Sequence, residues 1–181
     1  MDHLLQPLLL GALLLAVLLL VLAAVWYWRR RSRQLAQRLK GRIWGHAQDV
    51  VIPDGMDGYI HIDHVLLTRR GLIVLELKEL RGSVFGAEKM SEWVVIEEGR
   101  RYGFRNPLTE LDERLAALRA FAEGIRIEAY VLIIGPVGFP KGRPERTLRM
   151  DDLADKLEPV NGDMPDGWRG LWNKIAGRAE R

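Results

Sequence analysis

The sequence predicts an α/β domain, a mixed sheet flanked by helices, preceded by one transmembrane helix. Three observations predict it. Runs rich in β-branched and aliphatic residues at Tyr59 to Leu67, Leu72 to Leu80 and Ile127 to Ile134 are separated by turn residues and read as strands. Between them, Leu108, Leu111, Leu115, Leu118 and Phe121 fall at helical spacing, and strands with a helix packed between them form α/β layers. Finally, Leu8 to Trp28 is a run of 21 residues with no charge and no strongly polar side chain.

At about 1.5 Å per residue that run makes roughly 31 Å of helix, enough for a hydrocarbon core of about 30 Å. Pro7 stands at a natural helix start, and Trp26, Tyr27 and Trp28 form an aromatic belt at one end. A cleavable signal peptide fits less well. Met1-Asp2-His3 carries no basic residue, the apolar run is too long, and no small-x-small site precedes the arginines. Arg29, Arg30, Arg31 and Arg33 follow the helix directly, so the body is expected on the cytoplasmic side of the inner or plasma membrane. Residues 1–28 are thus read as anchor, 29–42 as a basic juxtamembrane linker and 43–181 as one domain, long enough for a core of its own.

The net charge of +3 belongs to the linker. Residues 29–42 hold seven Lys or Arg and no acid, leaving 20 basic against 23 acidic residues in 43–181. The basic segment suits topology and anionic lipid heads. An acidic body argues against tight duplex binding built on many phosphate contacts. With no cysteine, disulfides and thiolate metal sites are excluded.

Within the body, the linker is expected to continue helically from Gln34 to Lys40 and to loosen at Gly41 to Gly45. Asp49 to Pro53 reads as a short strand, and Pro53-Asp54-Gly55 as a turn. Two strands then flank Thr68-Arg69-Arg70-Gly71. Trp93 to Glu97 and Tyr102 to Phe104 suggest a second hairpin across Glu98-Gly99-Arg100. Pro107 opens the helix, which runs to Ala122 and stops before Gly124. After the loop Gly135 to Pro144, Asp151 caps a short helix to Leu157, and Pro165-Asp166 precedes a last one containing Trp168, Leu171, Trp172 and Ile175.

The first hairpin carries the chemistry. With Arg69 and Arg70 as its turn residues, Leu67 faces Leu72, Asp63 faces Glu76, and Lys78 lies beside His61. Facing Cβ atoms are about 4.5–5.5 Å apart, so two opposed carboxylates call for a cation between them, and Mg²⁺ is the simplest. Glu76 and Lys78 also interrupt the apolar run Leu72, Ile73, Val74, Leu75 and Leu77, where isolated charges are expensive. The bland alternative is a solvated strand face. His61 and His64 fall on opposite faces, which disfavours zinc; His61 is a candidate supporting group and His64 a packed one. Arg100, Arg101 and Arg105, or Lys141, Arg143, Arg146 and Arg149, are candidate substrate surfaces.

Tyr59-Ile60-His61-Ile62-Asp63-His64-Val65-Leu66-Leu67, Gly71 to Lys78, Gly82-Ser83-Val84-Phe85-Gly86, Trp93 and Asn106-Pro107-Leu108 together resemble the nuclease-related domain, NERD. The resemblance spans about residues 48 to 135. It implies a restriction-endonuclease-like fold of the PD-(D/E)xK superfamily, with Asp63 and Glu76 as metal-binding carboxylates and Lys78 as the active-site lysine. It also implies Mg²⁺- or Mn²⁺-assisted hydrolysis of phosphodiester bonds in DNA or RNA, with Lys78 orienting water or stabilising charge on phosphorus. Two positions depart from the family pattern. No Asp or Glu occurs between Trp28 and Asp49, where the family carries a helical acid, and Glu110 stands where the family places Gln. The alternatives are a membrane-tethered interaction or nucleic-acid-binding module with little or no turnover, and a lipid-phosphate or nucleotide hydrolase at the membrane surface.

Overall fold

The computed structural model describes residues 15–23 and 35–179, and the chain divides into two units, Met1–Leu39 and Lys40–Arg181. In the first unit residues 15–23 are helical, with exposed apolar side chains such as Leu15 and Leu20. Much of the expected span Leu8 to Trp28 lies outside the described residues. Among the described residues no helix is long and apolar enough to cross a membrane.

The second unit is mixed α/β. Its strands are β1 (Gly45–Pro53), β2 (Tyr59–Thr68), β3 (Gly71–Glu79), β4 (Gly82–Phe85), β5 (Glu92–Glu97), β6 (Arg100–Arg105), β7 (Ile127–Ile134), β8 (Val137–Gly138) and β9 (Thr147–Leu148). Its helices are α1 (Pro107–Phe121), α2 (Met150–Lys156) and α3 (Asp166–Ala176). The strands form two sheets, ordered β1-β2-β3-β7-β9 and β6-β5-β4-β8, where the sequence suggested one. The second sheet begins where β3 ends. Leu80 N–H still donates to Ile134, at the end of β7, but Gly82 N–H donates to Pro136, carrying the chain over to β8.

β1, β2 and β3 are antiparallel, while β7 runs parallel to β3 because α1 provides the crossover. The β2–β3 turn has the expected register, Leu67 opposite Leu72 and Thr68 opposite Gly71. Neither Arg69 nor Arg70 adopts positive φ; Gly71 takes it, at 123°. Thr68 Oγ1 donates to Gly71 O and accepts from Arg70 N–H, closing the turn. β1 starts at Gly45, four residues before the expected strand, because residues 45–48 pair with Leu67 to His64.

Leu108, Leu111, Leu115 and Leu118 bury one face of α1 in a core with Val65, Leu67, Val74 and Val131. Full burial of each Leu contributes on the order of 2 kcal/mol. Asn106 fixes where α1 begins. It is fully buried, its Oδ1 accepts from Leu108 N–H, and its Nδ2 donates to the carbonyls of Ala87, Glu88 and Met90. That junction aims the polar first turns of α1 at the open end of β2 and β3.

Candidate active site

The β2–β3 ladder stops at His64–Leu75. Beyond it β2 pairs with β1 alone, and β3 continues on β7 with Glu76 opposite Val131 and Lys78 opposite Ile133. Asp63 and Glu76 are the first residues past this fork. The expected direct pairing of Asp63 with Glu76, and of His61 with Lys78, is therefore absent. Opposed carboxylates repel, and the Asp63 side chain takes another partner: its Oδ2 accepts a 3.0 Å hydrogen bond from Leu77 N–H, replacing the lost ladder. His61 pairs with Val51 instead.

Glu76 is 3 % exposed, and two cations face its carboxyl oxygens. Lys78 Nζ lies 3.0 Å from its Oε1, and Arg114 Nε lies 3.1 Å from its Oε2. The Arg114 Nε–H donates to His61 O at 2.9 Å, so Oε2 feels the guanidinium charge but has no hydrogen bond. Lys78 also contacts Glu110 Oε2 at 3.3 Å, and Arg114 Nη1 is 3.9 Å from the same oxygen. The four side chains form a ring of alternating charge. Burial, and then the Asp63 charge, raise the Glu76 pKa above its ordinary value; Arg114 and Lys78 offset this only partly. Burial alone would lower the Lys78 pKa, but hydrogen bonding to Glu76 and the charges of Glu76 and Glu110 outweigh it and raise it. Lys78 is thus a firmly protonated cation.

A second group adjoins the first. Asp49, at φ 51° in the left-handed region, interrupts the β1–β2 ladder between the pairs Gln48–His64 and Val50–Ile62. His61 lies between two aspartates, with Nε2 3.2 Å from Asp49 Oδ1 and Nδ1 3.6 Å from Asp63 Oδ1. His64 packs instead against His46, with Nδ1 2.9 Å from His46 Nε2.

The structure thus brings Asp63, Glu76 and Lys78 together and adds Arg114, Glu110, His61 and Asp49. Arg114 was not singled out in the sequence; its one signal is that it follows Glu110 by a helical turn on the polar side of the leucine stripe. Of the two basic groups, Arg143 and Arg146 are held by Asp152 and Asp112, and Arg149 donates to Val137 O. Those arginines brace the loop before α2. Arg100, Arg101 and Arg105 lie exposed on β6.

Oxygen donors beside two fixed cations suit chemistry on an anion. Among the described residues, no three His, Cys, Asp or Glu side chains are grouped so as to hold a metal ion by themselves. An ion between Asp63 and Glu76 would need water or substrate oxygens to complete its shell, as Mg²⁺ commonly has.

No curated protein and no solved structure matches the chain. The family model of the nuclease-related domain matches residues 26–136, which include the fork, its carboxylates, Lys78 and the whole of α1; the chain belongs to the NERD family.

Proposed function

We propose that the chain is a membrane-anchored nuclease of the PD-(D/E)xK, restriction-endonuclease-like kind, hydrolysing phosphodiester bonds of DNA or RNA with Mg²⁺ or Mn²⁺. The observation that carries this is the fork, which leaves Asp63, Glu76 and Lys78 at one open strand end. Leu8 to Trp28 would be the anchor, with the body on the cytoplasmic side.

The donor set fits a hard dication. Glu76 Oε2 is buried without a hydrogen bond, and the strain of burial and of the Asp63 charge is the kind a cation relieves. The carboxylates Asp49, Asp63, Glu76 and Glu110 outnumber the cations Lys78 and Arg114 by the charge of one divalent ion. Held by Asp63 and Glu76, the metal would supply Lewis acidity toward the scissile phosphate and a more acidic bound water.

The chain's own groups do the rest. Leu77 N–H fixes the Asp63 carboxylate. Lys78, firmly protonated, is suited to stabilising negative charge on phosphorus rather than to accepting a proton. Arg114 holds β2 to α1 and keeps positive charge at Glu76.

One observation favours a second reading, a tethered module with little or no turnover: Lys78 is already paired with both Glu76 and Glu110. The test is cleavage of labelled single- and double-stranded DNA and RNA by the full chain in lipid nanodiscs, with Mg²⁺, Mn²⁺ or EDTA, beside Asp63→Ala and Lys78→Ala. Metal-dependent cutting lost in both variants supports the nuclease; no cutting by folded protein on any of these substrates supports the module.

A further inference from the structure

His61 stands at the fork with no task in the chemistry proposed above. It lies two residues before Asp63 on β2, so the two side chains share a strand face. The β1–β2 register places Asp49 opposite Asp63, between the pairs Gln48–His64 and Val50–Ile62. One aspartate therefore meets each nitrogen of the imidazole.

The two contacts differ in kind. Nε2 lies 3.2 Å from Asp49 Oδ1, and an ionised carboxylate only accepts, so Nε2 carries the proton. Nδ1 lies 3.6 Å from Asp63 Oδ1, too far for a hydrogen bond. In the neutral ring of that tautomer a bare nitrogen lone pair faces a carboxylate oxygen. Asp63 Oδ2 is already taken by Leu77 N–H, which leaves Oδ1 to the imidazole. Two donors each about 2.1 Å from one ion stand roughly 3.0–3.6 Å apart at angles of about 90–120°. The gap between Nδ1 and Oδ1 falls at the top of that span. His61 is 47 % exposed and Asp63 27 %, so water reaches both. At Glu76, by contrast, each oxygen already faces a cation, Lys78 or Arg114. The plain alternative is an imidazolium that only offsets the two aspartates.

We propose that His61 Nδ1 is a ligand of the metal beside Asp63 Oδ1, and that this nitrogen makes the centre select a first-row transition dication over Mg²⁺. The inference rests on the reading of a metal held at Asp63. Asp49 is then the carboxylate behind a ligating imidazole: it takes the Nε2 proton, leaves Nδ1 bare toward Asp63 and raises its basicity. It reaches Nε2 because its backbone, at φ 51°, leaves the extended strand. Mg²⁺ takes oxygen donors and gives up water reluctantly, whereas transition dications accept imidazole. Two protein donors leave the remaining positions to water and phosphate oxygens. His64 adds no second nitrogen, since its Nδ1 is turned to His46.

The test uses the metal alone. Mn²⁺ is titrated into the full chain in dodecyl maltoside, whose headgroups carry no phosphate; electron paramagnetic resonance reads free Mn²⁺, and competition gives the Mg²⁺ affinity. A ligating imidazole imposes a ¹⁴N modulation on the spin echo of bound Mn²⁺. The parent is expected to show it and to bind Mn²⁺ about tenfold or more tightly than Mg²⁺. His61→Ala should abolish the modulation and weaken Mn²⁺ by about tenfold or more, with a smaller effect on Mg²⁺. Arg114 holds the carbonyl of His61 and not its ring, so the variant keeps that link, and a melt in EDTA checks the fold. His61→Asn, which keeps a polar side chain, should lose the modulation equally. An imidazolium that only offsets the aspartates predicts the opposite sign, because its removal strengthens the binding of both ions. Tighter binding in His61→Ala, a modulation that survives it, or bound Mn²⁺ without modulation in the parent overturns the ligand. The two readings fail separately. Asp63-dependent Mn²⁺ binding without nitrogen, in a protein that cuts, removes His61 from the shell and leaves the nuclease. A modulation lost in His61→Ala, in a protein that cuts no substrate, removes the nuclease and leaves the ligand. Mn²⁺ binding no greater than that of Asp63→Ala removes both.

Discussion

Asp63 Oδ2 accepts a hydrogen bond from Leu77 N–H across the point where β2 and β3 part. The side chain proposed to bind metal also holds the two strands together. Asp63→Ala should therefore lower stability by about 1–3 kcal/mol, the range for leaving a half-buried donor unpaired. Asp63→Asn, which keeps an acceptor oxygen, should lose less. Chemical denaturation of both variants without metal checks this. Equal stability of Asp63→Ala and the parent would show that the strap carries no weight.

Arg114 keeps Glu76 tolerable in the charged form. Arg114→Met leaves a buried carboxylate with one cation fewer, a loss of about 3 kcal/mol near neutral pH. The pH dependence has a definite sign. Because the folded pKa of Glu76 is raised, its contribution to stability is fully present below its ordinary value of 4.5 and is lost as pH rises through the folded value. Removing Arg114 raises that value further, so the Arg114→Met deficit should grow from pH 4.5 upward. Adding Glu76→Gln should restore most of it. Melts of the four proteins of this double-mutant cycle at pH 4.5 and 8 measure the coupling, and additivity would refute it.

The physical origin of these contacts explains what the sequence disclosed. Glu76 and Lys78 were legible as charges that interrupt an apolar run, Asp63 through the hairpin register that set it near Glu76, and α1 because its leucines keep helical spacing. Each is a property of one segment or of one local hairpin. Arg114 and Asp49 were not, since their roles arise only when α1 is laid across the fork and when β1 departs from regular geometry opposite Asp63. Of the second sheet only the β5–β6 hairpin was legible: β4 has four residues and β8 two, too few for a period to show. The register of the first hairpin was read correctly up to His64–Leu75. It failed beyond that pair because side-chain charge, not turn geometry, decides where the ladder ends.

Glu110 is the residue that ties up Lys78. Glu110→Gln keeps a hydrogen-bonding side chain of the same length but removes its charge, leaving Lys78 more available to a phosphate. On the nuclease reading, metal-dependent turnover should rise, by up to about tenfold if one charge-assisted contact of about 1.4 kcal/mol is released in the transition state. The stability cost should stay within about 1 kcal/mol, because both side chains are roughly a quarter exposed. Single-turnover cleavage with a parallel melt separates the two effects. Lower turnover at unchanged stability would instead make the Glu110 carboxylate a working part of the centre.

Asn106 sets the direction of α1 and hence the position of Glu110 and Arg114. Its amide donates to Ala87, Glu88 and Met90 carbonyls, and its oxygen caps Leu108 N–H, all within a fully buried side chain. Trp93 Nε1 also donates to Ala87 O, so Asn106→Ala leaves the Glu88 and Met90 carbonyls without that amide and Leu108 N–H without its cap. The expected loss is about 3 kcal/mol or more. Asn106→Asp retains the cap but turns a carboxylate toward three carbonyl oxygens. It should be at least as destabilised at pH 8, and should recover part of the loss on acidification, when a protonated carboxyl can donate one hydrogen bond. If denaturation shows Asn106→Asp to be as stable as the parent at pH 8, the amide bonds are not what anchors the helix.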